Sequence, residues 1–251
     1  MPAGADLKRR AEAAKSIRDF PNHVTNMLMP PADLTPETIG ENAYRRIRSD
    51  IVFGRLAPGQ KLRLERLKDD YGASVSTLRE ILNRLASERL VAAEGQRGFE
   101  VAPVSVANLK EVAALRMLLE EHALEQSFLA GDMEWEGRVV AAHHKLAVME
   151  RRMKEGDRSQ TELWKRYDWE FHQALISACG SSELMETHAA VFDKYLRYQM
   201  IALSFRGDIA AKEHKGLLDA ALERDAATAK AVLARHVEGG VEHALATETI
   251  G

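Results

Sequence analysis

Beyond Pro103 no stretch of this chain alternates apolar and polar residues as a strand would; apolar residues recur at helical spacing instead. Short breaks punctuate the pattern at Gly131-Asp132, Gly156-Asp157, Gly180-Ser181, Gly207-Asp208 and Arg224-Asp225. They predict helices at roughly 106–130, 133–155, 159–179, 182–204, 208–223 and 226–247. Six helices with connections this short pack their apolar faces against one another as an antiparallel bundle. The chain is therefore expected to be mainly α.

Ahead of Pro103 the rhythm differs. An alanine-rich charged stretch, Ala5 to Phe20, can be helical, and Pro21, Pro30, Pro31 and Pro36 then read as an extended linker. Residues 1–36 are expected to be a mobile arm. Tyr44, Ile47 and Ile51 form one stripe of a helix that starts near Ala43 and ends at Gly54 and the Pro58-Gly59 turn. Leu64 to Tyr71 gives a second, short helix closed by Gly72. Ser74 can cap a third, Val75 to Arg89, which buries Leu78, Ile81, Leu82 and Leu85. Leu90 to Ala93 and Phe99 to Val101 flank a turn and read as a hairpin. Three helices and a hairpin make a winged helix-turn-helix over 37–103, followed by the helical domain over 104–251.

Composition narrows the setting. The chain has 251 residues, 45% hydrophobic and 29% charged, with no run of eighteen apolar residues that would span a membrane. The first forty residues lack the apolar core and cleavage site of a secretory signal. A single cysteine, Cys179, excludes an internal disulfide framework and fits a reducing cytoplasm; in its Ala-Cys-Gly setting it reads as a small buried filler. Net charge is −3, but it is unevenly spread: residues 41–103 carry twelve Lys/Arg against nine Asp/Glu, and the remainder is acidic. Only the first of these segments would be drawn to phosphate.

A recognition helix offers short polar or basic side chains at its first turns and apolar ones behind. Ser74, Ser76, Thr77 and Arg79 are expected to face the groove, with Arg84 on a phosphate. The wing, Gln96-Arg97-Gly98, could lay Arg97 along the backbone or in the minor groove. Pro58-Gly59, Tyr71-Gly72-Ala73-Ser74, Leu78-Arg79-Glu80-Ile81-Leu82, Arg84-Leu85 and Arg97-Gly98-Phe99-Glu100-Val101 together resemble the N-terminal domain of GntR-family transcriptional regulators. The sequence departs from that pattern at Val75, where the family usually has arginine. An operator different from the family's usual one is therefore expected, with Val75 in reach of a thymine methyl.

In the helical domain Asp168 and His172, one turn apart in Asp-Trp-Glu-Phe-His, share a helix face. His214 and His236 sit on later helices among apolar neighbours, so three helices could aim four ligands at one interior point. By spacing alone these read first as hydrogen-bonded core histidines, as lone histidines on apolar faces usually are. The order Arg116-x-x-x-Glu120, Asp168-x-x-x-His172, Glu213-His214 and Arg235-His236 is, however, similar to the FCD ligand-sensing domain of the FadR subfamily of GntR regulators. The resemblance implies that Asp168, His172, His214 and His236 bind a divalent metal, zinc or nickel. It also implies a small organic-acid effector paired with Arg116. Arg197 is a weaker effector candidate, a surface charge being as good a reading of it. His143 and His144 read as incidental, and Trp135 and Trp164 as packing groups.

These readings predict a cytoplasmic homodimer, usually a repressor, that binds near-palindromic operator DNA and answers to a carboxylate effector. Two alternatives stand beside it. One is a metal-dependent hydrolase. It lacks a general base, since Glu170 points about 200° around its helix from Asp168 and Glu213 is expected to face away from the ligands. The other is a sensor of the metal ion itself.

Overall fold

In the computed structural model, residues 38–93, 98–203 and 205–250 are described. The expectations for residues 1–36, and those for Gln96 and Arg97 in the wing, lie outside them.

Helix α1 spans Ile39–Val52 and starts earlier than its apolar stripe suggests. Thr38 explains the difference: its Oγ1 accepts the Glu41 N–H at 3.1 Å and caps the helix. Tyr44, Ile47 and Ile51 face inward as the periodicity requires. Helix α2, Leu64–Tyr71, ends where Gly72 takes a left-handed conformation that a side chain would disfavour. Helix α3, Val75–Ser87, begins at Ser74, whose hydroxyl accepts the Thr77 N–H at 3.2 Å.

A small antiparallel sheet of β1 (Lys61–Leu62), β2 (Val91–Ala93) and β3 (Phe99–Val101) has the order β1-β3-β2. Strand β1 is too short for a periodicity signal and was not expected. It pairs Leu62 with Phe99 on the free edge of the hairpin. One cluster containing Ile47, Ile51, Leu67, Leu78, Leu82, Leu85 and Val101 joins these elements into a winged-helix head.

The second part of the chain consists of α4 (Val106–Ala130), α5 (Met133–Lys154), α6 (Thr161–Ile176), α7 (Ser182–Ile201), α8 (Asp208–Leu222) and α9 (Ala226–Leu245), with a short 3-10 turn at Arg158–Gln160. Ser105 and Asp132 cap α4 and α5 through their oxygens, at 3.1 and 2.8 Å. Helix α5 packs along α6 and α8, α4 along α7 and α9, and α8 along α9. Trp135 and Trp164 belong to the shared core. Cys179 lies in the turn after α6 and is half-buried, with its thiol 3.7 Å from the Ser181 carbonyl. Among the described residues, no helix is long and apolar enough to cross a membrane.

Candidate metal centre

Helix α6 places its buried face, Trp164, Lys165, Asp168, Phe171, His172 and Leu175, at the centre of the bundle. Helices α8 and α9 bring His214 and His236 to the same point. Ligand atoms of Asp168, His172, His214 and His236 all lie within 4.8 Å of one another, and all four residues are buried. The His172 and His214 rings are each close to His236, with centroids 5.2 and 4.7 Å away.

What orients these rings is a set of carboxylates outside them. His172 Nδ1 bonds Glu120. His214 Nδ1 bonds Glu150 Oε1 at 2.6 Å, and His236 Nδ1 bonds Glu213 Oε2 at 2.9 Å. With every Nδ1 on a carboxylate, Nε2 is the nitrogen turned to the cluster, although that of His172 also lies 3.3 Å from Arg116 Nη2; a carboxylate on Nδ1 is the arrangement that commonly fixes metal-bound histidine. Among the described residues His214 Nε2 is buried without a hydrogen-bond partner, and it lies 3.1 Å from Asp168 Oδ1. An orphaned, inward-pointing nitrogen beside a carboxylate oxygen fits a shared cation, and three imidazoles with one carboxylate suit zinc or nickel.

The expectation that Glu213 faces away from the ligands is corrected here. It precedes His214 on α8, but its carboxylate meets His236 from α9 and is clamped by Arg206 at 2.6 Å. A residue can thus serve a ligand on a different helix while turning from its own neighbour.

The electrostatics follow from burial. Desolvation would raise the Asp168 carboxyl, but Lys165 and His214 hold it well below the usual range. Glu120 is likewise held low, by Arg116 and His172 against burial. Burial lowers His172 and His236 despite their carboxylate partners, which favours the neutral, ligating imidazole. Burial would also lower His214, but Asp168 and Glu150 raise it to about 9.

Arg116 reaches this cluster from α4. It donates Nε to Glu120 Oε2 at 2.9 Å, and its Nη2 lies 3.2 Å from His172 Nδ1. Its guanidinium also lies over the rings of Phe192 and Tyr195. Arg197 is elsewhere: its Nη2 donates to the Ala102 carbonyl at the junction of head and bundle. His143 meets Phe171 edge-on, outside the ligand set.

Four participants were missed from the sequence. Lys165 donates to Asp168 Oδ2 at 3.3 Å, and Glu150 and Arg206 hold His214 and His236. His188 bonds Glu120 Oε2 at 3.1 Å and Gln173 at 2.7 Å. Glu150 and His188 did carry a signal, since each interrupts an apolar stripe (Leu146, Met149, Met153; Val191, Phe192).

In the head, Ser74, Ser76 and Arg79 are exposed at the start of α3, and Val75 and Thr77 are half-buried. Thr77 is partly turned inward: its hydroxyl lies 2.8 Å from that of Ser74, and its methyl packs by Gly40. Arg84 stacks on Tyr44, 3.6 Å from the ring centroid, and pairs with Glu41 at 3.3 Å. Gly98 has a φ of 98° at the foot of the wing.

Comparison with known proteins places these features among regulators. A model for "Bacterial regulatory proteins, gntR family" matches residues 39–101, and an FCD domain model matches 111–239. The chain is 37% identical over 218 residues to the uncharacterized HTH-type transcriptional regulator BphR of Paraburkholderia xenovorans LB400, covering 84% of this chain and 89% of that one. It is 31% identical over 204 residues to the HTH-type transcriptional repressor GlaR of Escherichia coli K12, covering 78% and 91%. Among solved structures, E. coli McbR/YncC superposes with a TM-score of 0.70 over 85% of this chain and all of that one, at 18% identity.

Proposed function

The chain belongs to the GntR family of transcriptional regulators and carries an FCD domain, and from that premise we propose a repressor whose operator binding is set by a small carboxylate effector held at a metal ion. It is a regulator and not an enzyme, as are the families and relatives it matches, so the hydrolytic alternative is set aside. The observation that carries the proposal is the convergence of Asp168, His172, His214 and His236 within 4.8 Å, with each imidazole's Nδ1 tied to its own carboxylate.

Those four residues would hold a zinc or nickel ion, which supplies a Lewis-acidic coordination position for a carboxylate or water. The rest is done by the chain's own groups. Arg116, with Nη2 beside His172, is the cation that pairs with an anionic effector entering next to the ligands. Lys165 adds a second positive charge, on Asp168. Reorganising either cation strains α4 or α6, and α4 leads straight from the head through Pro103. The head would act as one half of a two-fold dimer on near-palindromic DNA, with Ser74, Ser76, Thr77, Arg79, Arg84 and the wing residues Gln96, Arg97 and Gly98 at the duplex. Repression fits the description of the relative GlaR as a repressor.

The test is operator binding by metal-loaded and chelator-treated protein, at one salt concentration, across a panel of small carboxylic acids. One acid should change operator affinity tenfold or more, and only in the loaded protein. Protein isolated without a bound transition metal, or an effector response indifferent to chelation, would discard the metal-linked reading. A response to the metal with no acid present would make the ion itself the signal.

A further inference from the structure

Head and bundle meet around a cavity of about 180 Å³ with a mixed lining, in which Arg89 comes from the head, Glu111 from α4, and Lys194 and Arg197 from α7, beside apolar residues such as Leu90 and Val112. It is separate from the metal centre. Helix α7 turns Phe192 and Tyr195 toward Arg116, and residues two positions further on fall on another face.

Among the residues that line this cavity, three are cations and one, Glu111, is a carboxylate. Glu111 accepts a hydrogen bond from Asn108 at 3.3 Å and pairs with none of the three cations. Among the described residues, neither Arg89 nor Lys194 forms a direct ion pair; the carboxylates near Lys194, Glu88 and Asp193, are both paired with Arg48. Arg197 is 5% exposed and donates Nη2 to the Ala102 carbonyl; among the described residues its buried Nε has no acceptor. Buried donors of this kind are rarely left unmet, and cations rarely share a cavity without a counter-ion. Burial lowers both Arg197 and Lys194, and nearby Arg89 lowers Lys194 further, against the opposite pull of Glu88 and Asp193. Arg89 itself holds a φ of 61° where the chain leaves α3, a conformation unfavourable for a side-chain-bearing residue.

We propose that this cavity is an anion site for a phosphate dianion, free or as a small phosphate ester, gripped by Arg89 from the head and by Lys194 and Arg197 from the bundle. Arg89, Lys194 and Arg197 outnumber Glu111 in the lining, and Arg197 offers a guanidinium edge suited to a phosphoryl oxygen. Operator phosphate is not the ligand implied. Arg89 follows the C-terminal end of α3, roughly 20 Å along the helix from the Ser74 cap where duplex contacts would start. An anion spanning the two parts would favour one placement of the head, giving the regulator an input separate from the effector at the metal.

The test is thermal unfolding of the full chain, chelator-treated and metal-loaded, in inorganic phosphate, glycerol 3-phosphate, succinate or chloride at equal ionic strength. Phosphate or its ester should raise the midpoint by about 3 °C at ten times its Kd, equally in both preparations. Whichever of the two binds more tightly is the better match to the site. The double variant Arg89→Ala/Lys194→Ala should weaken that binding tenfold or more. Equal midpoints in phosphate and chloride, a response only to succinate, or full binding by the double variant would overturn the assignment. So would a phosphate response abolished by chelation, which would move the anion to the metal centre.

Discussion

Arg48 of α1 and Asp193 of α7 form an ion pair across the junction of head and bundle. Arg48 also donates to Glu88 at 2.9 Å, so one guanidinium ties the end of α3 to the bundle. Asp193 is buried and Arg48 half-buried, and among the described residues Asp193 Oδ1 has no hydrogen-bond partner; burial pushes its carboxyl up to about 6 despite Arg48. Because that value exceeds the ordinary 3.8, the folded state keeps a proton that the unfolded state has lost. Stability from this group is present at low pH and lost as pH rises through 6. Arg48→Ala raises Asp193 further and should cost about 2–4 kcal/mol at pH 7, but distinctly less at pH 5. Urea unfolding at the two pH values measures this, and an equal cost at both would refute it.

Carboxylates behind the imidazoles should matter almost as much as the ligands. Glu150→Gln and Glu213→Gln keep shape and remove charge, and each should weaken metal binding about 10–100-fold. Glu170→Gln is the control, because that side chain points outward to Lys145. Competition against a chromophoric chelator gives the affinities. Three equal values would mean that the outer carboxylates do not orient the ligands.

Arg116 is fully buried, paired with Glu120 and stacked between aromatic rings, so its removal risks the fold. Arg116→Lys keeps the charge and loses the planar fork. Metal content should stay unchanged, while the effector's influence on operator affinity falls by about tenfold, as expected for loss of a bidentate carboxylate contact. If the response survives intact in gel-shift titrations, the effector is bound by other groups.

The two arginines of α3 should separate cleanly. Arg79 is exposed at the first turns, and Arg84 is committed to Tyr44 and Glu41. Arg79→Ala should cost operator binding about 1–3 kcal/mol. Arg84→Ala should cost less binding and about 1 kcal/mol of stability, from the lost cation–π contact and exposed ion pair. Anisotropy titrations beside thermal melts resolve the two; a larger binding loss for Arg84 would reverse the assignment.

What the sequence disclosed divides along physical lines. Periodicity and caps located the helices because both are local: Leu64–Tyr71 and Val106–Ala130 fall where the pattern puts them. Local signals failed where partners are distant. Strand β1 depends on Leu62 meeting Phe99, and Arg197, read either as a weaker effector candidate or as a surface charge, is buried with the Ala102 carbonyl, far away in sequence, as its partner. The four candidate ligands showed only as polar residues on apolar faces, and it was the family resemblance that singled them out. Lys165 and Arg206 were not legible, because their roles depend on which helix packs opposite.

Helices α7 and α9 approach closely at Gly240, which is buried. A β-carbon there would overlap the Tyr195 hydroxyl, and that hydroxyl is fixed by a bond to the Val237 carbonyl at 3.2 Å. The Tyr195 ring lies 4.7 Å from the Arg116 guanidinium, so displacing it disturbs the cation beside the metal ligands. Gly240→Ala should destabilise the chain by about 1–3 kcal/mol, as overpacked interiors do. It should also weaken the effector response beyond what unfolding explains. Tyr195→Phe in the same background removes the overlapping oxygen and should recover most of the stability. If the double variant is no more stable than Gly240→Ala alone, the clash lies elsewhere, and Tyr195 is not what sets the helix spacing beneath Arg116.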